Sequence, residues 1–454
     1  MNKFFRNLTI FAVLRIILFG SSVLAADHEH DEMSMQGYLI ENYGYEFIEN
    51  YNLALEIVTE LYELFPTNRM GDTIYPTYFG GKYINDEGDL VILQIKDATS
   101  NESTTLDYFE DAVFKLADFS YTELVAVMDF LDWKITCAES NASTWYLDVI
   151  NNRVVVQLTN YGADEIAIFQ DMILDSPIIV FEQGEKSILA NNQLDERQSQ
   201  NIQSRLFGTP SPRPPALASP IIQNVRLDIR TGDRIWVFRN GVGWIDGAYL
   251  SIGYRVQAFN GEIGFVTAAH IPTDMQIGDI ISNNSGVRIG VVRQAQLPGI
   301  DAAFVATGAN VVMSSHTNLA AAGNYNGTFV GQRVVFHGAT TGTQVGSILI
   351  PRISVLGLNA GMHTTLNFRG GDSGGVIYTI DAAGHVTGTA GIANSTLPIV
   401  PYSVVSRADA INNTFGLRLI HGGQPSPAPT PPTPPPPIPG IPGVPPIPPI
   451  PPRP

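Results

Sequence analysis

The sequence is short of cysteine, of charge and, over its second half, of lysine. A single cysteine, Cys137, among 454 residues excludes a disulfide scaffold and any multi-cysteine metal cluster. Charged residues are only 15% of the chain against 44% apolar ones, which excludes a disordered or coiled-coil protein and leaves material for sizeable cores. A formal charge of −17 argues against nucleic acid as a partner, because such a binder needs a basic face. Beyond the first residues no apolar run approaches the ~20 residues of a membrane span, so the mature protein is expected to have none. No internal repeat of solenoid or propeller length is present.

The N-terminus has its own pattern. Lys3 and Arg6 precede an apolar stretch from Leu8 to Phe19 with Arg15 as its one charge, and small residues follow at Val23 to Ala26. Residues 1–26 therefore read as a signal peptide, and the product as secreted and extracellular. The next segment, His28 to Glu32, reads as a solvated polar tail. No metal or other cofactor is expected.

Charge and proline divide the remainder. Residues 27–219 hold 33 acidic against 10 basic residues, whereas residues 220–420 hold 10 against 12, all twelve of them arginine. The last lysine is Lys186, and 18 of the 31 prolines lie beyond residue 420. Such steps mark boundaries. They give an acidic domain over 27–207, a proline-rich linker over 208–224, a neutral domain over 225–420 and a disordered proline-rich tail over 421–454. The tail is expected to adopt extended polyproline II, a spacer able to reach through a cell wall or dock on a surface partner.

The acidic half reads as α+β. From Tyr121 a helical pattern places Leu124, Val127, Met128 and Leu131 on one face. Trp145–Ile150 and Arg153–Leu158 read as a β-hairpin around a two-residue Asn151-Asn152 turn. The neutral half is a succession of short runs rich in Val, Ile and Phe, such as Val237-Phe238, Gly264-Phe265-Val266 and Val334-Val335-Phe336, and reads as an all-β barrel or sandwich.

Two strings in that half carry chemistry. Gly371-Asp372-Ser373-Gly374-Gly375 sets a serine between glycines, which let the backbone turn tightly and approach a substrate carbonyl. Upstream, Phe265-Val266-Thr267-Ala268-Ala269-His270 is a short strand ending in a histidine. Together they resemble the signature segments of chymotrypsin-like serine peptidases, and the short spacing looks like the bacterial secreted branch of streptogrisins and α-lytic protease. Gly299-Ile300-Asp301-Ala302-Ala303-Phe304-Val305 resembles that family's aspartate segment. Tyr402–Val405 with Phe415–Leu419 resembles its closing helix and final strand. Tyr75–Gly81 and Asn151–Val156 look like the pro-segment such peptidases carry.

The resemblance implies a double β-barrel peptidase domain over about 225–420, preceded by an α+β pro-domain. It implies Ser373 as nucleophile, His270 as general base and acid, Asp301 as the orienting carboxylate, and the N–H groups of Gly371 and Ser373 as the oxyanion hole. It also implies Asn367 at the base of a substrate pocket walled by Ala390, Gly391 and Ile392, a site without the carboxylate that a basic side chain would need. Asp274 and Asp279 are rival orienters. Asp409 and His421 are the partners an α/β-hydrolase reading would require, although no strand–helix alternation precedes Ser373. The chain departs from the family at His270-Ile271, where a disulfide cysteine is usual, and it lacks the Ile-Val-Gly-Gly start of digestive relatives.

The expected function is a secreted serine endopeptidase acting on protein or peptide substrates. An all-β domain folds slowly through long-range contacts, so a covalent pro-domain that templates it, covers its site and is then cut off within 206–224 fits the acidic half. The alternative is a non-catalytic extracellular or wall-associated binding protein on the same fold.

Overall fold

The computed structural model describes residues 35–425 apart from 68–72, 97–108, 138–139, 185–218, 224, 272–273, 298, 315–327, 356–357, 397–402 and 422–423. The expected signal peptide and most of the linker and of the tail lie outside the described residues.

The acidic half opens with helices α1 (Met35–Tyr43) and α2 (Tyr45–Leu64), followed by strands β1 (Phe79–Ile84), β2 (Leu90–Ile95) and β3 (Val113–Ala117). β2 reads as an unbroken apolar run because both of its faces are covered. Leu90 and Ile92 enter a core with α2, and the alternate residues Val91 and Leu93 enter a second core with α3 (Tyr121–Cys137). The four α3 residues placed on one face by periodicity are all buried in that second core.

The hairpin of β4 (Ala142–Asp148) and β5 (Arg153–Leu158) completes this core with α4 (Ala163–Met172) and β6 (Ile179–Gln183). Its turn is longer than the expected two residues. The last strand pair is Asp148 with Arg153, which leaves Val149 to Asn152 as the loop. The Asp148 carboxylate accepts the Asn151 N–H at 3.0 Å and so ends the strand early. Only Asn152 takes the left-handed conformation, with φ of 54°.

After β7 (Leu227–Arg230), the neutral half builds two β layers, each round its own core. The first contains β8 (Arg234–Arg239), β9 (Gly243–Ser251), β10 (Arg255–Ala258), β11 (Ile263–Thr267), β12 (Ile280–Asn283), β13 (Arg288–Gln296) and β14 (Ala302–Thr307), and β15 (Val311–Ser314) pairs with β7 beside it. Inward residues of β8, β9, β11, β13 and β14, among them Val237, Leu250, Phe265, Val292 and Val305, share one core. The second runs β16 (Arg333–Gly338), β17 (Gly342–Val355), β18 (Leu358–Thr364), β19 (Val376–Ile380), β20 (Val386–Thr396) and β21 (Ser403–Arg407). Their order β16-β19-β20-β21-β18-β17, with β17 pairing back onto β16, closes a six-stranded barrel. Helix α5 (Ala408–Phe415), ended by Gly416 in the left-handed conformation, returns the chain to the first layer as β22 (Leu417–His421) beside β10.

The halves are joined. β4 pairs antiparallel with β17, so strands β4, β5 and β6 extend the sheet of the six-stranded barrel. α2 lies across that barrel, where the Tyr51 hydroxyl donates to the Ile380 carbonyl at 3.1 Å and accepts the Arg333 N–H at 2.9 Å.

Candidate active site

His270, Asp301 and Ser373 each sit in a connection close to one end of a strand, where rigid backbone positions them. β11 ends at Thr267, and His270 follows three residues later. Asp301 immediately precedes β14, the neighbour of β11 in the sheet, so strand pairing alone brings the two segments side by side. Asp301 is 3% exposed and holds φ at 39°, a conformation a non-glycine residue keeps only when its surroundings impose it. Those surroundings are visible. One carboxylate oxygen accepts the N–H groups of Ala269 and His270, both at 2.9 Å, and the other bonds His270 Nδ1.

The opposite ring nitrogen, His270 Nε2, lies 2.8 Å from Ser373 Oγ. The structure thus brings Asp301, His270 and Ser373 into one hydrogen-bonded row across the two β layers. The Asn394 carbonyl, 3.1 Å from Ser373 Oγ, is a second acceptor for the same hydroxyl. Burial opposes the imidazolium, but the charge of Asp301 and its hydrogen bond outweigh that, and the His270 pKa is raised above its ordinary value.

None of the rival carboxylates is seen bonded to His270. Asp279 is buried in a two-point contact with Arg239, with both N···O distances at 2.8 Å, and Asp274 is exposed. Asp409 pairs with Arg407, and His421 ends β22.

Around the serine the backbone is tightly set. Gly371 and Gly374 have φ of 91° and 85°, and a Cβ at either would collide with neighbours, at Gly371 with the Tyr249 ring 1.9 Å away. The fully buried Asp372 carboxylate accepts three backbone N–H groups, from Thr340, Thr341 and Arg369, at 2.8–3.0 Å. Its charge is therefore met within the neutral half itself, without a chain-terminal amine. Among the described residues, the N–H groups of Asp372, Gly374 and Gly375 have carbonyl acceptors, whereas those of Gly371 and Ser373 have none.

The expected pocket residues lie on two segments, Asn367 after β18 and the other three within β20. Asn367 is exposed, and its backbone N–H and carbonyl are bonded to the Gln344 side chain. Ala390 and Ile392 are packed into two different cores, and Gly391 faces the Ser406 carbonyl so closely that a Cβ would sit 2.2 Å from it. The β20 residue that reaches Ser373 is instead Asn394. Sequence reading missed it and also Tyr249, Ser251 and Thr340, which bond the serine loop. Continued along β20, the strand's alternation could have indicated Asn394; nothing local marks the other three.

A family model described as the Pro-like N-terminal domain matches residues 43–117, and one described as the Pro-like C-terminal domain matches residues 122–184. This chain carries a pro-region of the α-lytic protease type. The chain is also similar to solved bacterial proteases. Cellulomonas bogoriensis chymotrypsin is 28% identical over 43% of this chain and 100% of its own, with a TM-score of 0.32. Nocardiopsis protease NAPase is 25% identical over 42% and 98%, at 0.31, and Thermobifida fusca protease A 23% over 43% and 100%, at 0.32. No curated protein matches the sequence. No helix among the described residues of this pro-region or of the β layers is long and apolar enough to cross a membrane.

Proposed function

We propose that the chain is a secreted serine endopeptidase with a chymotrypsin-like double β-barrel, made as a precursor that processes itself. The observation that carries this reading is the row in which His270 bonds Asp301 through one nitrogen and Ser373 through the other. In a peptide complex His270 Nε2 takes the Ser373 proton as Oγ attacks the scissile carbonyl. The tetrahedral intermediate puts negative charge on the carbonyl oxygen, which the unengaged N–H groups of Gly371 and Ser373 receive. His270 then gives its proton to the leaving amine, forming an acyl-enzyme that water hydrolyses by the same steps in reverse roles. Asp301 keeps Nδ1 protonated and stabilises the imidazolium while it lasts.

The pro-region fits the rest of the reading. Docked through β4 and α2, it supplies template surface to the second barrel. We assign the signal peptide to 1–26, the processing site to 206–224, and the peptidase domain to 225–420. Expression of Ser373→Ala tests the proposal: it should accumulate as uncut precursor while the wild type is cut in the linker. Identical migration of the two proteins would refute self-processing.

A further inference from the structure

A trans peptide unit points its carbonyl and its N–H in opposite directions, so holding one end aims the other. The unit joining Gly370 to Gly371 is flanked by two glycines, and neither side chain restricts its rotation. Something else must fix it, because one orientation presents the Gly371 N–H beside Ser373 and the other presents a carbonyl. Two hydroxyls grip the Gly370 oxygen: Tyr249 at 3.0 Å and Thr340 Oγ1 at 2.8 Å.

We infer that Tyr249 and Thr340 are positioning residues that lock the 370–371 peptide with its N–H toward the oxyanion of the reacting substrate. The inference rests on the peptidase reading above. Both residues are themselves held. The Tyr249 ring is buried against Trp236 with centroids 5.6 Å apart, carries the Arg234 guanidinium 4.8 Å from its centroid, and abuts Gly371 where a side chain would otherwise lie. Thr340 donates its own N–H to Asp372, the residue before the nucleophile, at 2.9 Å. The neighbouring carbonyls are secured in the same manner, Gly371 by Ser251 Oγ and Ser373 by the Ser251 N–H, each at 2.8 Å. Tyr249 and Ser251 belong to β9 of the first layer and Thr340 follows β16 of the second, so the loop is set only once the two layers have packed.

The test expresses the full chain and measures the secreted product with p-nitrophenyl acetate. Tyr249→Phe and Thr340→Val should each lower kcat by roughly tenfold, and together by the ~10²–10³-fold expected for one lost oxyanion donor. KM should stay within about twofold, the pH midpoint of kcat/KM should not move, and phenylboronic acid affinity should fall in parallel with kcat. Thr340→Ser, which keeps the hydroxyl, should restore the rate. Wild-type kcat in both single variants and the double variant, with Ser373 still modified by phenylmethanesulfonyl fluoride, overturns the lock and leaves the peptidase reading standing. A wild-type protein that neither turns over the ester nor is modified at Ser373 overturns the peptidase reading itself.

Discussion

Asp301 shows how much of this site is backbone chemistry. Its two oxygens meet three donors, two of them main-chain N–H groups of the segment it orients, and its φ of 39° is held by that network. An amide in its place keeps one acceptor oxygen and gains a donor that cannot face the Nδ1 proton. Asp301→Asn should therefore lower kcat/KM at pH 7 by about 10⁴-fold through the wrong tautomer. In the proposed mechanism the base works only when neutral, and Asp301 raises the His270 pKa, so the wild-type rate should decline on acidification from a pH above the ordinary imidazole value. In the variant the acid limb of the pH–rate profile should move to lower pH; an unmoved limb would contradict this electrostatic account. The strings around His270, Asp301 and Ser373 stood out because the proposed reaction demands those residue types, and the structure brings the three side chains together. Tyr249, Ser251 and Thr340 did not stand out, since a hydroxyl bonded to a distant carbonyl leaves no local pattern.

Between elements, the clearest junction is Asp132 on α3. It accepts the Trp145 indole N–H at 2.7 Å, the Ser354 hydroxyl at 2.6 Å and Arg352 at 2.9 Å, tying α3 to β4 and to β17 of the six-stranded barrel. Arg352 also pairs with Asp129, whose side chain is 55% exposed. Arg352→Met leaves the Asp132 carboxylate short of its cation in a half-dry seam and should cost about 1–3 kcal/mol. Asp129→Asn faces solvent and should cost less than about 1 kcal/mol. Denaturant midpoints of both changes made in uncut Ser373→Ala precursor give the comparison, and equal losses would dismiss Asp132 as the junction. Periodicity made α3 and the β4–β5 hairpin readable, since each is a local amphipathic pattern. The β4–β17 pairing was not readable, because register between strands some 200 residues apart is set by the assembled edges. The turn at 149–152 was misplaced for a similar reason. Asn152 is held by Asp118 and Phe119 across the fold, and its side chain also donates to the Gly80 carbonyl.

For the molecule as a whole, the step in composition separated an acidic half from a neutral one, yet the contact between them is largely apolar. Phe47, Tyr51, Ile57 and Leu61 of α2 share one core with Val256, Tyr378 and Ile411. Charge marks the two parts, and burial joins them. Lys82 on β1 is a charged residue buried inside that seam. It is 5% exposed, its ammonium nitrogen lies 2.6 Å from the Tyr62 hydroxyl and 4.8 Å from the centre of the Phe329 ring, and the small cavity around it is lined by Tyr75, Phe79 and Tyr121 with no carboxylate. Burial pushes its pKa down to about 7. Between pH 7 and the ordinary lysine value, the unfolded chain binds a proton that the packed chain does not, so stability rises with pH across that window. Below it both states are protonated and the cost is complete. The thermal midpoint of the Ser373→Ala precursor should thus climb from pH 7 to about pH 9, below the range where buried tyrosines such as Tyr51 and Tyr378, held protonated by burial, oppose it. Lys82→Met, which keeps the apolar stem and loses the titrating group, should raise the midpoint at pH 7 and flatten the climb. Parallel profiles for the two proteins would mean that the seam holds its lysine charged, and acidification would then have no grip on the docking of the pro-region.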